Sequence, residues 1–370
     1  MRIGTWAPMA RGAREKSRPA TGLPAWLILF LATGLSIAGA IAGAITAGIT
    51  TGVAQERIML VGSGSSVPAP LYTKWAQEYN KRDPRVQLQY LPIGTSEGIK
   101  QISKGNSDFS AGEVQLTAAE RTEGNLTELP AVLIGVVPVY NLPTVHQELR
   151  FSGELLAEIY LGEVKTWNDA AIARLNPNVS LPNLPINVFY RPAGKGTNYV
   201  FTDFLSKMSP KFRSRIGVTP SPKWPVGEAA ERSADMADKV KAQTGAIGYV
   251  EQQYAVKNNI AFGTVQNASG RFVKASTETI TAACRAIEAP QWDKFAPSLT
   301  NPPGEDSFPI TSFSWVYART APSDAKRAAA VAELLNWIFT DGQQIAAQEG
   351  YSPLPQALAA KVKDKVKALR

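Results

Sequence analysis

Residues 189–205 read FYRPAGKGTNYVFTDFL, and the chemistry such a pattern can do is to hold an anion. An apolar run ends at Arg191, the chain turns through Pro192, Gly194 and Gly196, and a helix-like segment begins at Thr197. The same arrangement occurs twice upstream. In IMLVGSGSSVPAPLYTKWAQEYNKR, residues 58–82, Gly62, Gly64, Ser65 and Ser66 precede Pro68 and a helical pattern. In VQLQYLPIGTSEGIKQISKGNSDFSAGE, residues 86–113, Gly94, Thr95 and Ser96 do the same. Each entrance brings a hydroxyl and unpaired backbone N–H groups to the positive end of a helix, where negative charge is favoured. Ser and Thr cap ordinary helices too, so one entrance alone implies only a cap. Three of them, one beside an arginine, point to an oxyanion site.

A nucleotide-binding P-loop is excluded by spacing. That motif places Lys and a hydroxyl residue side by side after G-x-x-x-x-G, whereas here the order is Gly194, Lys195, Gly196, Thr197 with no glycine five residues earlier. Other chemistries fall to composition. His146 is the only histidine and Cys284 the only cysteine, so a His-based triad or a zinc site of the usual spacing lacks its residues. Cys284 in TAACRAIEA reads as a small buried helix residue. No metal or cofactor is expected. The formal charge of +8 is uneven: residues 1–54 hold five basic residues and one acidic, and the remainder 34 basic and 30 acidic. That is mild for a polyanion binder, and nucleic acid is not an expected partner.

The elements that must position these residues have clear signatures. Leu71, Trp75 and Tyr79 recur at four-residue spacing, the stripe of a helix buried on one face. Val86, Leu88 and Tyr90 alternate as in a strand, and strand-like and helix-like runs continue to alternate, which predicts α/β layers. Trp167, Trp224, Trp292, Trp315 and Trp337 read as core or hinge packing, and ALAAKVKDKVKALR as a basic amphipathic helix with a solvated face. Ahead of all this, Arg2, Arg11, Arg14, Lys16 and Arg18 precede an uncharged stretch from Leu23 to Ala54 with small residues Gly52 and Ala54 at its end. That is the order of an export signal cut before Gln55. An uncleaved membrane anchor is the alternative, since the apolar run is long.

The motifs GSGSSVPAPLYTKWAQEYNK, GIKQISKGNSDF, GVVPVYNLP, EIYLGEVKTWNDAAIARLNP, GTNYVFTDFLSK, KWPVG, GAIGYVEQQYA and GEDSFPITS together resemble the periplasmic phosphate-binding proteins, the substrate-binding components of phosphate-specific ABC transporters. The resemblance runs in unbroken order from about residue 58 to near 360. It implies a type II-like periplasmic binding protein fold, α/β and two-lobed, closing on a buried oxyanion, first of all inorganic phosphate. Residues 1–54 would be signal or anchor, residues 55–141 with 306–370 lobe I, and residues 142–305 lobe II. It further implies a monomer in the periplasm that hands its ligand to an ABC permease and performs no catalysis. Carried over position by position, Ser66 and the Val67 N–H match the first entrance, Thr95 the second, Arg191 the guanidinium, and Gly196 with Thr197 the third. Glu113 stands where the family has an acidic acceptor Asp.

Three departures bear on the chemistry. Glu113 is one methylene longer than Asp, Ala193 replaces an Asp beside the arginine, and Lys195 replaces a hydroxyl residue. Counted over the matched positions, the family's −1 becomes +1, a large change in a water-poor cleft. Two outcomes are open: Lys195 pairs with Glu113 and leaves a near-neutral wall, or it faces the anion and weakens discrimination against sulfate. A different ligand, whether sulfate-like, organophosphate or carboxylate, or a membrane-tethered sensor, is the alternative to phosphate delivery.

Overall fold

In the computed structural model the described residues are 57–287, 298–367 and 369. The export segment and Trp292 lie outside them. The three glycine-rich entrances each follow a strand. Ile58–Gly64 forms β1, Val86–Leu91 β2 and Phe109–Gly112 β3, followed by the long β4, Leu126–Asn141, and the short β5, Arg150–Phe151. Asn187–Tyr190 is β6, Glu228–Ala229 β7, Ala246–Glu251 β8, Thr264–Gln266 β9, Phe272–Val273 β10 and Thr311–Arg319 β11. Eight of these form one sheet in the order β2-β1-β3-β11-β4-β8-β6-β7, and β10-β9-β5 form a second, smaller one.

The large sheet is joined at β4. Residues Leu126–Gly135 pair antiparallel with β11, and Val136–Asn141 pair antiparallel with β8. Nearly every residue of β4 is buried, the pattern of a strand covered on both faces. On one side of this strand β1 runs parallel to β2 and β3, and on the other β6 runs parallel to β8. Parallel strands leave their carboxyl ends at one edge, and ligands of open α/β sheets bind beyond such ends where strand order reverses. Here the order reverses at β1, between β2 and β3.

The helices bury the faces their sequences mark. Leu71, Trp75 and Tyr79 of the helix Ala69–Arg82 are all buried, and the Trp75 indole N–H donates to the Gly342 carbonyl at 2.8 Å. Ile99 and Ile102 do the same for the helix Thr95–Ser103. The C-terminal helix Gln356–Lys367 buries Leu358, Val362 and Val366 and keeps its lysines outside. Trp167, Trp315 and Trp337 are buried and Trp224 is half-buried. Cys284 is fully buried in the helix Thr277–Arg285, and burial pushes its thiol up to about 12.

The backbone at Gly64 closes β1 against β3. Its φ is +131°, and a Cβ there would stand 2.1 Å from the Ala111 carbonyl oxygen. The next residue donates its N–H to that same carbonyl at 2.8 Å. Gly64→Ala must therefore spread the two strands as well as force an unfavourable φ, and the expected loss is about 3 kcal/mol. Urea unfolding of the variant and the parent gives that difference directly; equal midpoints would contradict this account.

Candidate functional site

Strand ends bring the charged and hydroxyl groups together. Ser65 and Ser66 follow β1, Thr95 follows β2 by a short turn, Glu113 follows β3, Arg191 follows β6, and Glu251 is the last residue of β8. The two turns 93–96 and 193–196 meet: the Ser96 N–H donates to the Gly194 carbonyl at 3.2 Å. Arg191 reaches across to the first entrance, its Nη2 donating to Ser66 Oγ at 3.2 Å.

Arg191 is 1% exposed, which is rare for a guanidinium and demands compensation. Its Nη2 also donates to the Glu231 carbonyl at 2.9 Å, and its Nη1 to Ser233 Oγ at 3.2 Å. Ser233 in turn donates to Glu251 Oε1 at 2.6 Å. The buried cation thus finds its counter-charge in Glu251, 60 residues downstream, through one hydroxyl. The Arg191 backbone is fixed as well. Its N–H donates to Tyr249 Oη at 3.0 Å, and Asn198 Nδ2 donates to the carbonyls of Arg191, Pro192 and Pro220. Asn198 lies in the first turn of the helix Gly196–Met208, so the helix start and the arginine loop are one rigid unit.

Glu113 is equally buried. Its Oε2 accepts from Ser65 Oγ at 2.8 Å and from Thr95 Oγ1 at 3.2 Å. It also lies against Gly196, where a Cβ would come within 1.8 Å of the oxygen. The Glu113 carboxyl is raised to about 7: burial raises it most, the Ser65 bond lowers it, the nearby Glu251 raises it, and Thr95 and Arg191 lower it. Glu251 is raised by the same loss of water and lowered by Arg191 and Ser233.

Four buried polar atoms around this cluster have no hydrogen-bond partner: Glu113 Oε1, Glu251 Oε2, Arg191 Nε and Thr197 Oγ1. Buried polar atoms are normally paired, so four together on three chain segments mark a place built for polar contact. Among the described residues no group of His, Cys, Asp and Glu is placed to hold a metal ion. His146 is exposed and Cys284 belongs to a helix core, so neither joins the cluster.

All eight residues singled out in the sequence are at or beside this cluster, with differences in role. The Val67 N–H donates to Ser65 Oγ at 3.1 Å and its carbonyl accepts from Tyr351 Oη at 3.0 Å, so its amide is already engaged. Lys195 neither pairs with Glu113 nor stands alone: its Nζ lies 3.1 Å from Glu231 Oε2, at a side-chain exposure of 18% against 66% for the glutamate. The charge count changes accordingly. Beside Arg191, Lys195 and Glu113 stand Glu231 and Glu251, two acids outside the matched positions, so the +1 counted there is not the charge of the whole cluster. Ser65, Ser233, Glu231 and Glu251 were not among the expected residues. The signal for Glu251 was present, an acid closing the apolar run AIGYV, but nothing local ties it to Arg191.

Residues 46–342 match the PBP superfamily domain. The phosphate-binding protein PstS of Xylella fastidiosa strain 9a5c is 35% identical over 306 residues, covering 82% of this chain and 84% of the relative. That of Pasteurella multocida strain Pm70 is 36% identical over 307 residues, covering 82% and 88%. The chain belongs to the PstS family of the PBP superfamily. A solved phosphate-binding protein from Stenotrophomonas maltophilia, 17% identical, superposes with a TM-score of 0.65 over 83% of this chain and 94% of its own, which bears on fold alone. The α/β architecture expected of a two-lobed periplasmic binding protein is the one observed.

The raised Glu113 carboxyl has a sign that stability can report. Its folded value, about 7, lies above the ordinary 4.5. The folded state therefore holds the proton more tightly, and stability falls as pH rises from about 4.5 to about 7. Glu113→Gln removes this contribution, on the order of 3 kcal/mol at most, and leaves the slope due to Glu251. Urea midpoints of parent and variant between pH 5 and 8 should converge at the acid end, with the variant the more stable above pH 7. A variant with the parent's full pH slope would count against a buried titrating Glu113.

Proposed function

We propose that this chain is an extracytoplasmic solute-binding protein that captures inorganic phosphate and delivers it to the permease of an ABC transporter, without turnover. The observation that carries the reading is the set of four unpartnered buried polar atoms, Arg191 Nε among them, in the cluster of Arg191, Thr197, Glu113 and Glu251. It is supported by relatives named phosphate-binding protein PstS at 35% and 36% identity over most of both chains. Ser66, Thr95, Glu113, Arg191, Gly196 and Thr197 would meet the anion, together with the loop amides near Val67 and Lys195. Arg191 supplies charge-assisted hydrogen bonds. In its charged form Glu113 can accept from a protonated anion but only repels sulfate, which has no proton to give at neutral pH.

Residues 55–141 with 306–370 would form one lobe and 142–305 the other, with β4 as a crossing between them. The working compartment would be the periplasm, reached through the basic and apolar segment 1–54 and a cut before Gln55. Among the described residues no helix is long and apolar enough to cross a membrane. N-terminal sequencing of the mature protein tests the cut, and a start at Met1 would turn the reading toward a tethered form.

Calorimetric titration of protein stripped of ligand by unfolding and refolding tests the binding itself. Phosphate is expected to bind at least tenfold tighter than sulfate, and Arg191→Ala to weaken phosphate at least a hundredfold while circular dichroism stays that of the parent. Folded protein that takes up no phosphate between pH 5 and 8 would end the phosphate reading. A milder effect is expected at Glu251, which acts through Ser233 by orienting the guanidinium. Glu251→Gln should weaken phosphate about tenfold and Glu251→Asp should restore part of that. Equal affinities for Gln and parent would remove Glu251 from this positioning role.

A further inference from the structure

We infer that the Glu113 carboxylate is a built-in occupant of the anion cradle, a tethered oxyanion that an incoming phosphate must turn aside. The inference rests on the binding function proposed above and adds what competes at that site. One oxygen, Oε2, touches all three glycine-rich entrances: it accepts from Ser65 Oγ at 2.8 Å, from Thr95 Oγ1 at 3.2 Å, and lies against Gly196. Thr95 and Gly196 are the first residues of their helices, so the carboxylate sits at two positive helix ends. Ser65 Oγ accepts from the Val67 N–H, which leaves its own hydrogen for Glu113.

The guanidinium does not hold this carboxylate. Arg191 spends its Nη1 and Nη2 donors on Ser66, Ser233 and the Glu231 carbonyl, and its Nε has no partner. Glu113 is thus held as a free oxyanion would be, by hydroxyls and helix starts. Reach decides the matter. An aspartate at the end of β3 would stop short by one methylene, about 1.5 Å, and would withdraw from at least one of the three entrances.

Occupancy depends on protonation, because a neutral carboxyl no longer competes as an anion and can donate to one. The charged and titratable groups facing Glu113 are Arg191 after β6, Glu251 on β8, Tyr72 on the helix Ala69–Arg82, Tyr90 on β2, Tyr317 on β11 and Tyr351. The tyrosines are held neutral by burial, so Arg191 and Glu251 are the charges Glu113 feels. With its carboxyl raised to about 7, chiefly by burial, the competitor is mostly formed at pH 8 and mostly gone at pH 5.5.

The test is phosphate titration of the parent, Glu113→Asp and Glu113→Gln at pH 8 and pH 5.5. An occupant predicts that both variants bind phosphate at least tenfold tighter than the parent at pH 8 and within threefold of it at pH 5.5. The two variants guard each other: if shortening disturbs folding, the near-isosteric Gln still reports. A Glu113 that serves only as the acceptor for the phosphate proton predicts the reverse for Gln, weaker binding at pH 8. Parent that binds phosphate while neither folded variant gains affinity at pH 8 overturns the occupant and leaves the binding function standing. Folded parent and variants that all ignore phosphate at both pH values remove the binding function, and the occupant with it.

Discussion

Everything at this site follows from burying one guanidinium. Removing Arg191 from water costs several kcal/mol, and only hydrogen bonds on its nitrogens together with a nearby negative charge return it. The chain supplies these from distant places: Ser66 after β1, the Glu231 carbonyl and Ser233 after β7, and Glu251 at the end of β8. Each must arrive within a few tenths of an ångström, which strands fixed in one sheet can ensure and a mobile loop cannot. The Asn198 and Tyr249 bonds to the loop backbone serve the same end. A side chain that must present the same edge to a small anion on every encounter gains from being held this firmly.

Local pattern and long-range placement divide what could be read from the sequence. The stripe Leu71, Trp75, Tyr79, the alternation Val86, Leu88, Tyr90 and the three glycine-rich entrances are short-range signals, and all appear in the structure as read. Resemblance to a family supplied Glu113 and Arg191 as members of one site. What stayed hidden has a common cause: it depends on which atoms meet across tens of residues. Ser65 and Ser66 are adjacent hydroxyls, and spacing cannot say that the first turns to Glu113 while the second turns to Arg191. Glu251 becomes the partner of Arg191 only because β6 and β8 pair in parallel with Asn187 opposite Ala246. That β4 changes its partner from β11 to β8 near Gly135 is likewise invisible in its unbroken apolar run.

The electrostatic departures take on different weights once placed. In the sequence Lys195 is the conspicuous one, a cation among glycines where a hydroxyl was expected. In the structure its partner Glu231 is two-thirds exposed, so the pair stands at the wet rim where water screens it, and exposed pairs of this kind contribute a kilocalorie per mole or less. Glu113 and Glu251 lie on the dry side with Arg191. The same Coulomb interaction grows severalfold as the effective dielectric falls from that of water toward that of a protein interior. Glu251 supplies Arg191 with a buried counter-charge from another strand, and Glu113 is an acid that water does not screen. The field an anion would meet is therefore set by one guanidinium and two buried carboxyls, of which Glu113, raised to about 7, changes its proton count near neutral pH, rather than by the lysine.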